Sequence, residues 1–320
     1  MLKFYVKISM AKKVEILKFL KYIIYDVRSK KMNEQIEAVH RMQNYIAEHL
    51  GDKITLVDLS KVSFYSPWHS YRLFVDILKI SPSDYIRKFR LSNSALKLRD
   101  EKTTITSVAF EFGFNSVDGY QRAFYHEFGC NPHEYANNPV PLYLFTPYDI
   151  KYSIIKKEIN MKNLKNVFIQ VIEKPARKVL IKRGIKADNY FDYCEEVGCE
   201  IWGLLVSMSS NSNEPVSLWL PDKLIKPNTS KYVQGVEVSL DYDGVIPNGF
   251  DVIELPACKY LKFQGEKFKE EDYETAIACV WEAIKKFDPK TIGYEWDNEN
   301  PRIQLEPRGE RGYIELVAIR

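Results

Sequence analysis

No apolar run in this chain approaches the roughly 20 residues that span a bilayer, so no membrane-spanning helix is expected. Cysteine is sparse and unpatterned: Cys130, Cys194, Cys199, Cys258 and Cys279 form no CxxC pair and no Cys/His array. Such spacing speaks against structural zinc and against a disulfide framework, and it fits reduced thiols in a cytoplasmic protein. Histidine is scarce where hydrolysis would need it. His40, His49, His69, His126 and His133 all lie in the first half of the chain, which leaves the second without a Ser/His/Asp or Cys/His arrangement. No catalytic residue, metal or cofactor is expected. Secretion is not expected either. The basic start interrupts its apolar residues with charge over Val14–Tyr22, and no small-residue cleavage site follows.

Strong net charge is absent as well, at +3 over 320 residues, but its distribution is uneven. Residues 1–31 hold nine Lys/Arg against Glu15 and Asp26, a net of +7, while residues 167–320 hold 20 against 26 acids. Bulk charge therefore does not reveal a nucleic-acid-binding domain; the positions of the charges must do so. Four regions are expected: a basic extension over 1–31, a helical domain over 32–137, a linker over 138–166, and a mixed domain over 167–320. The turn-rich Asn137-Asn138-Pro139-Val140-Pro141 closes the helical part, since its prolines cannot continue a helix. Met32 stands just before the first periodic helix, which carries Ile36, Val39, Ile46 and Leu50 and ends at Gly51.

The helical region contains one small unit twice. In the first, Thr55 caps a short helix through Val62, Ser63-Phe64-Tyr65 turns, and Ser66-Pro67-Trp68 starts a second helix. In the second, Thr104 opens a helix ending at Gly113, and Phe114-Asn115-Ser116 opens the next. A helix, a tight turn and a second helix lay that second helix in a DNA major groove. Between the units, Ser81 to Leu98 reads as one long helix, and successive major grooves lie ~34 Å apart, so one chain could read two of them.

The strings Ile54-Thr55-Leu56, Ser66-Pro67-Trp68-His69, Arg72-Leu73-Phe74, Ser81-Pro82, Gly113-Phe114-Asn115-Ser116 and Phe128-Gly129-Cys130-Asn131-Pro132 are dense over residues 36–136. This stretch resembles the DNA-binding domain of the AraC/XylS family of bacterial activators. The resemblance implies double-stranded promoter DNA as a partner, and RNA polymerase beside it. On the first recognition helix, Trp68, Tyr71 and Arg72 share a face, with Leu73 and Ile77 turned inward. Arg72 suits guanine and Trp68 a thymine methyl; the plainer reading makes Trp68 core and Arg72 a solvated charge. Ser66 and His69 stand at the backbone or in packing. On the second helix, Asn115, Ser116, Gln121 and Arg122 are the candidate contacts, and Asp118 either accepts from cytosine or caps the helix. Ser63 departs from the smaller residue usual in the family's turn.

From Val167 the periodicity becomes that of strands. Two successive strand, helix, strand, strand units are expected, an α+β fold with a pseudo-twofold after the all-α double helix-turn-helix domain. Gly235-Val236-Glu237-Val238, Ala257–Gly265, Pro301–Pro307 and Gly312-Tyr313-Ile314-Glu315-Leu316 resemble the effector-binding domain named for the DNA gyrase inhibitor protein. That resemblance implies a hydrophobic, often cationic small-molecule effector held between two halves. Along the last strand, Tyr313, Glu315 and Val317 alternate with Ile314, Leu316 and Ala318. If the second set packs on helices, Glu315 faces the cleft, with Trp202, Trp219, Tyr294, Trp296 and Tyr313 as candidate rings. Otherwise Glu315 is a solvated edge charge and the tryptophans are core. The expected function is a ligand-responsive transcription regulator. The alternatives are a C-terminal domain that hydrolyses strained small molecules through Glu315, and a drug-sequestering protein for which DNA binding is secondary.

Overall fold

The computed structural model describes residues 32, 34–147, 166–209, 213–269 and 272–320; the basic extension, and the lysine-bearing end of the expected linker, lie outside them. By packing, the chain groups into one unit ending at Arg90 and a second running Leu91–Arg320.

In the first unit, helix α1 (34–48) buries Ile36, Val39, Met42 and Ile46 along one stripe. Helix α2 (Leu56–Ser63) begins at a capping box: Asp58 N–H donates to Thr55 Oγ1 at 3.3 Å, and Thr55 N–H donates to Asp58 Oδ2 at 3.1 Å. The turn into α3 (Pro67–Leu78) runs through Phe64 at φ 64°, a left-handed conformation that a bulky side chain seldom takes. Arg41 braces it, donating to the carbonyls of Val62 and Ser63 at 2.8 and 3.0 Å, with its guanidinium 4.8 Å from the Phe64 ring centre. Phe74 and Tyr85 are buried and meet edge to face. The long helix α4 (Pro82–Asp100) is continuous, as its sequence suggests.

The second unit opens with the second helix-turn-helix. Helices α5 (Ile105–Glu111), α6 (Val117–Phe128) and α7 (Pro132–Asn137) close over Leu91, Ala95 and Leu98 of α4. Gly113 supplies the left-handed turn residue here, at φ 72°. The chain after α7 does not leave this core at once. Leu142 and Leu144 are buried in it, and Phe145 N–H donates to Ser92 Oγ at 2.7 Å. The first stretch of the expected linker is thus a packed strap.

The remainder is a single eight-stranded antiparallel sheet with helices. Its strands are β1 (Val167–Lys174), β2 (Arg177–Arg183), β3 (Pro215–Trp219), β4 (Tyr232–Val238), β5 (Asp251–Leu255), β6 (Cys258–Gly265), β7 (Arg302–Leu305) and β8 (Ile314–Ile319), in the order β1-β6-β8-β7-β3-β4-β2-β5. Helices α8 (Tyr190–Val197) and α9 (Glu200–Met208) precede β3, and α10 (Tyr273–Lys286) precedes β7, so each helical stretch follows two strands where the expected unit had one. Gly198, at φ 97°, separates α8 from α9.

The face assignment along β8 is reversed from expectation. Ile314, Leu316 and Ala318 meet Val179, Ile181, Val216 and Leu218 in a core away from the helices, whereas Tyr313 and Val317 pack with Tyr273 and Val280 of α10. Both sets are apolar enough to bury, so alternation alone could not say which one met the helices. The sheet curls around its own Ile/Leu/Val face, and the helices cover the other. Among the described residues, no helix is long and apolar enough to cross a membrane.

Candidate nucleic-acid interface and ligand cavity

Helix α3 is built to show one face to solvent. Ser66 accepts from His69 N–H at 3.4 Å, and Pro67 occupies the first helical position. Leu73 and Phe74 turn into the core and Ile77 is half-buried, which forces Trp68, Tyr71 and Arg72 outward. Trp68 is 68% exposed and its ring lies parallel to that of Tyr71, with centroids 5.7 Å apart. Trp68 is therefore not core. An exposed indole stacked on a tyrosine forms a flat apolar platform beside the exposed guanidinium of Arg72. His69 lies against the Tyr65 ring at 4.6 Å. Ser63, the departure in the turn, is fully buried, and its hydroxyl is paired with Ser70 Oγ at 2.7 Å. The extra polar atom is satisfied within the motif. Replacing Ser66 with alanine should cost about 1 kcal/mol through loss of the cap. A lowered melting temperature with unchanged base preference would fit a cap, and altered base preference would reassign Ser66 to direct contact.

Helix α6 repeats the design with different chemistry. Ser116 caps it through Gly119 N–H at 3.1 Å, so the capping role considered for Asp118 belongs to Ser116. A methyl at Gly119 would come within 3.0 Å of Ser116 Oγ, which gives this helix-weakening residue a local reason. Tyr120 and Phe124 are buried, the Tyr120 hydroxyl donating to Ser94 Oγ at 3.1 Å. Asn115, Asp118 and Arg122 are exposed, and Gln121 is half-buried.

The second candidate site is a cavity of about 1550 Å³ inside the unit Leu91–Arg320, walled by α8, α9 and α10 and floored by β3 and β7. Trp202 and Trp219 line it, as expected, joined by Tyr190, Phe191, Tyr273 and Trp281. Tyr294, Trp296 and Tyr313 are not among its walls. Tyr294 packs against the α10 core with Lys259 Nζ 5.4 Å from its ring centre, and Trp296 bridges to Ile319 at the sheet's end. The rings that sequence reasoning missed had a readable signal. Ile277, Trp281 and Ile284 form a second apolar stripe on α10, beside the buried one of Ala276 and Val280.

Glu315 lies behind these walls, fully buried. Trp281 Nε1 donates to its Oε1 at 2.5 Å, the Tyr313 hydroxyl donates to the same oxygen, and Arg302 Nε donates to Oε2 at 2.5 Å. Burial pushes this carboxyl up from its ordinary value, while the Arg302 charge and the Tyr313 and Trp281 hydrogen bonds pull it back. Tyr313 is equally buried; loss of solvent and the neighbouring carboxylate drive its hydroxyl well above the usual range. Glu315 is thus neither the cleft-facing carboxylate that was expected nor the solvated edge charge of the alternative reading: it is buried behind the wall and paired with Arg302.

A family model described as a helix-turn-helix domain matches residues 59–138. Right origin-binding protein of Escherichia coli (strain K12) is 25% identical over 169 residues, 53% of this chain and 56% of that protein, so the matched part spans about half of that relative. Multiple antibiotic resistance protein MarA of Salmonella typhimurium is 30% identical over 103 residues, 32% of this chain and 81% of MarA. Among solved structures, a probable AraC family transcriptional regulator from Rhodopseudomonas palustris is 25% identical, covering 32% of this chain and 95% of that one, with a TM-score of 0.30. With two helix-turn-helix units in place and MarA matched over four-fifths of its length, the chain belongs to the AraC/XylS family of helix-turn-helix regulators.

Proposed function

We propose that this protein is a ligand-responsive transcription regulator that reads promoter DNA through α3 and α6 and takes a small hydrophobic or cationic effector into the cavity of its second unit. The observation that carries the DNA reading is the outward face of α3, where a 68%-exposed Trp68 stacks on Tyr71 next to an exposed arginine. Ser66, His69, Asn115, Ser116, Asp118, Gln121 and Arg122 would complete the contacts to bases and phosphates. Action at a promoter brings RNA polymerase in as a second partner.

The effector reading is supported by a cavity of about 1550 Å³ with six aromatic rings in its walls, above the size range of ordinary small-molecule sites. The expected linkage to the gyrase-inhibitor-like domain is supported by strand order. Exchanging β1 with β5, β2 with β6, β3 with β7 and β4 with β8 maps the order onto itself, as two repeats paired about β7 and β3 would require.

Selection from random duplexes with the full chain tests the DNA reading. The expected product is two short conserved blocks about one helical turn apart, bound at least 100-fold tighter than random DNA at moderate salt. Equal affinity for selected and random duplexes would overturn it.

A further inference from the structure

Arg302 takes up a place in the cavity that a ligand's cation would otherwise take. A positive charge entering an aromatic-walled site needs a ring face and a counter-carboxylate. Both are present and both are in use. The Arg302 guanidinium carbon lies 4.9 Å from the centre of the Trp219 ring, and its Nε donates to Glu315 Oε2 at 2.5 Å. Trp219, Trp281 and Arg302 all line the cavity, whereas Glu315 does not and has no surface open to solvent. The other Glu315 oxygen is occupied by Trp281 Nε1 and the Tyr313 hydroxyl.

We infer that Arg302 is the residue that sets the cavity's ligand class: it is a built-in cation that neutralises Glu315 and caps Trp219, so that the site selects uncharged hydrophobic molecules over lipophilic cations. The inference rests on the effector reading and narrows it. Five acids also line the cavity, but they do not restore a buried cation site. Asp188, Asp192 and Glu195 are exposed to solvent, Glu306 is paired with Arg308 at 2.9 Å, and Glu274 accepts from the Tyr273 hydroxyl at 3.2 Å. Exposed carboxylates are screened within about 8 Å at physiological salt. The Arg302 side chain keeps 33% of its own surface open, which allows it to meet a ligand directly.

Titration calorimetry of the full-length protein with tetraphenylphosphonium and the neutral triphenylphosphine oxide, in about 0.15 M salt, tests this. Wild type should bind the phosphonium no tighter than the neutral probe. R302M should gain at least tenfold for the phosphonium and change less than twofold for the neutral probe, and R302M/E315Q should lose that gain. R302M leaves a buried carboxylate without its partner and can fail to fold; R302Q, which keeps a hydrogen-bond donor toward Glu315 without the charge, then takes its place and should show the same gain. A wild type that prefers the phosphonium tenfold overturns the inference, as does a double variant that prefers it equally. Neutral binding without a gain in R302M removes the role of Arg302 and leaves the cavity reading intact. No binding of either probe to any folded form overturns the cavity reading and the inference with it.

Discussion

Substituting valine for Gly203 should lower the unfolding free energy by about 3 kcal/mol, at the upper end of ordinary overpacking. Gly203 sits inside α9, where a Cβ would come 1.9 Å from the carbonyl oxygen of Leu144 and 2.9 Å from its carbonyl carbon. The obstacle is backbone, and that backbone is held. Leu142 N–H donates to Ser207 Oγ at 2.9 Å, and Leu142 and Leu144 are both buried in the second helix-turn-helix core. Arg99 holds the other end, donating from Nη1 to the carbonyls of Val206 and Ser207 at 2.8 and 2.9 Å. Helix α9 cannot retreat easily either, since Ile201 and Leu205 pack on Leu180 and Val236 of the sheet. The sign is informative, because replacing glycine inside a helix otherwise stabilises it, by about 0.5–1 kcal/mol for alanine and by less for the β-branched valine. Denaturant unfolding gives the answer through the midpoint at constant slope. A loss under 1 kcal/mol would mean that α9 and the strap separate readily and that the close approach at Gly203 is not what holds them.

What sequence alone could reveal followed from how local the causes were. Thr55, Ser66 and Thr104 each cap the helix expected of them, because a cap is decided within three residues; at α6 the same local rule holds, but the cap is Ser116 rather than Asp118. The onset of strands was legible for the same reason, with β1 beginning at Val167 where the periodicity changes. The turn over Ser63-Phe64-Tyr65 was legible too, but the left-handed backbone of Phe64 within it was not; the residue that braces it, Arg41, lies more than twenty residues away in the chain. The environment of Glu315 also lies beyond local reading. Alternation put it on one face of β8, but its counter-charge comes from Arg302 on the neighbouring strand and its second donor from Trp281 on α10. Two apolar faces on one strand carry no label saying which meets a helix and which meets the sheet's own curl. Tyr294 and Trp296 were grouped with the cavity because they are large and aromatic, but ring type does not say on which side of a sheet a loop passes.

Arg72→Ala should weaken specific DNA binding about 10- to 100-fold, corresponding to about 1–3 kcal/mol, and should relax the preference at one base position. The packing of α3 sets this outcome. With Leu73 and Phe74 buried and Ser66 capping the first turn, the helix has no freedom to rotate, so the direction of Arg72 is set by its neighbours. It emerges exposed on the face that carries the stacked Trp68–Tyr71 pair. A guanidinium so placed can offer two parallel N–H donors to guanine O6 and N7, which no other base pair reproduces at the same groove position. A phosphate contact from the same side chain would behave differently. It would lower affinity for all sequences alike and reduce the salt dependence by about one charge. Anisotropy titrations of wild type and variant on the selected site, on single-position variants of it and on random duplex separate the two outcomes. A loss confined to sites keeping one guanine assigns Arg72 to base reading. An equal loss on every duplex, with a shallower salt slope, would assign it to the backbone and leave Trp68 and Tyr71 as the reading face of α3.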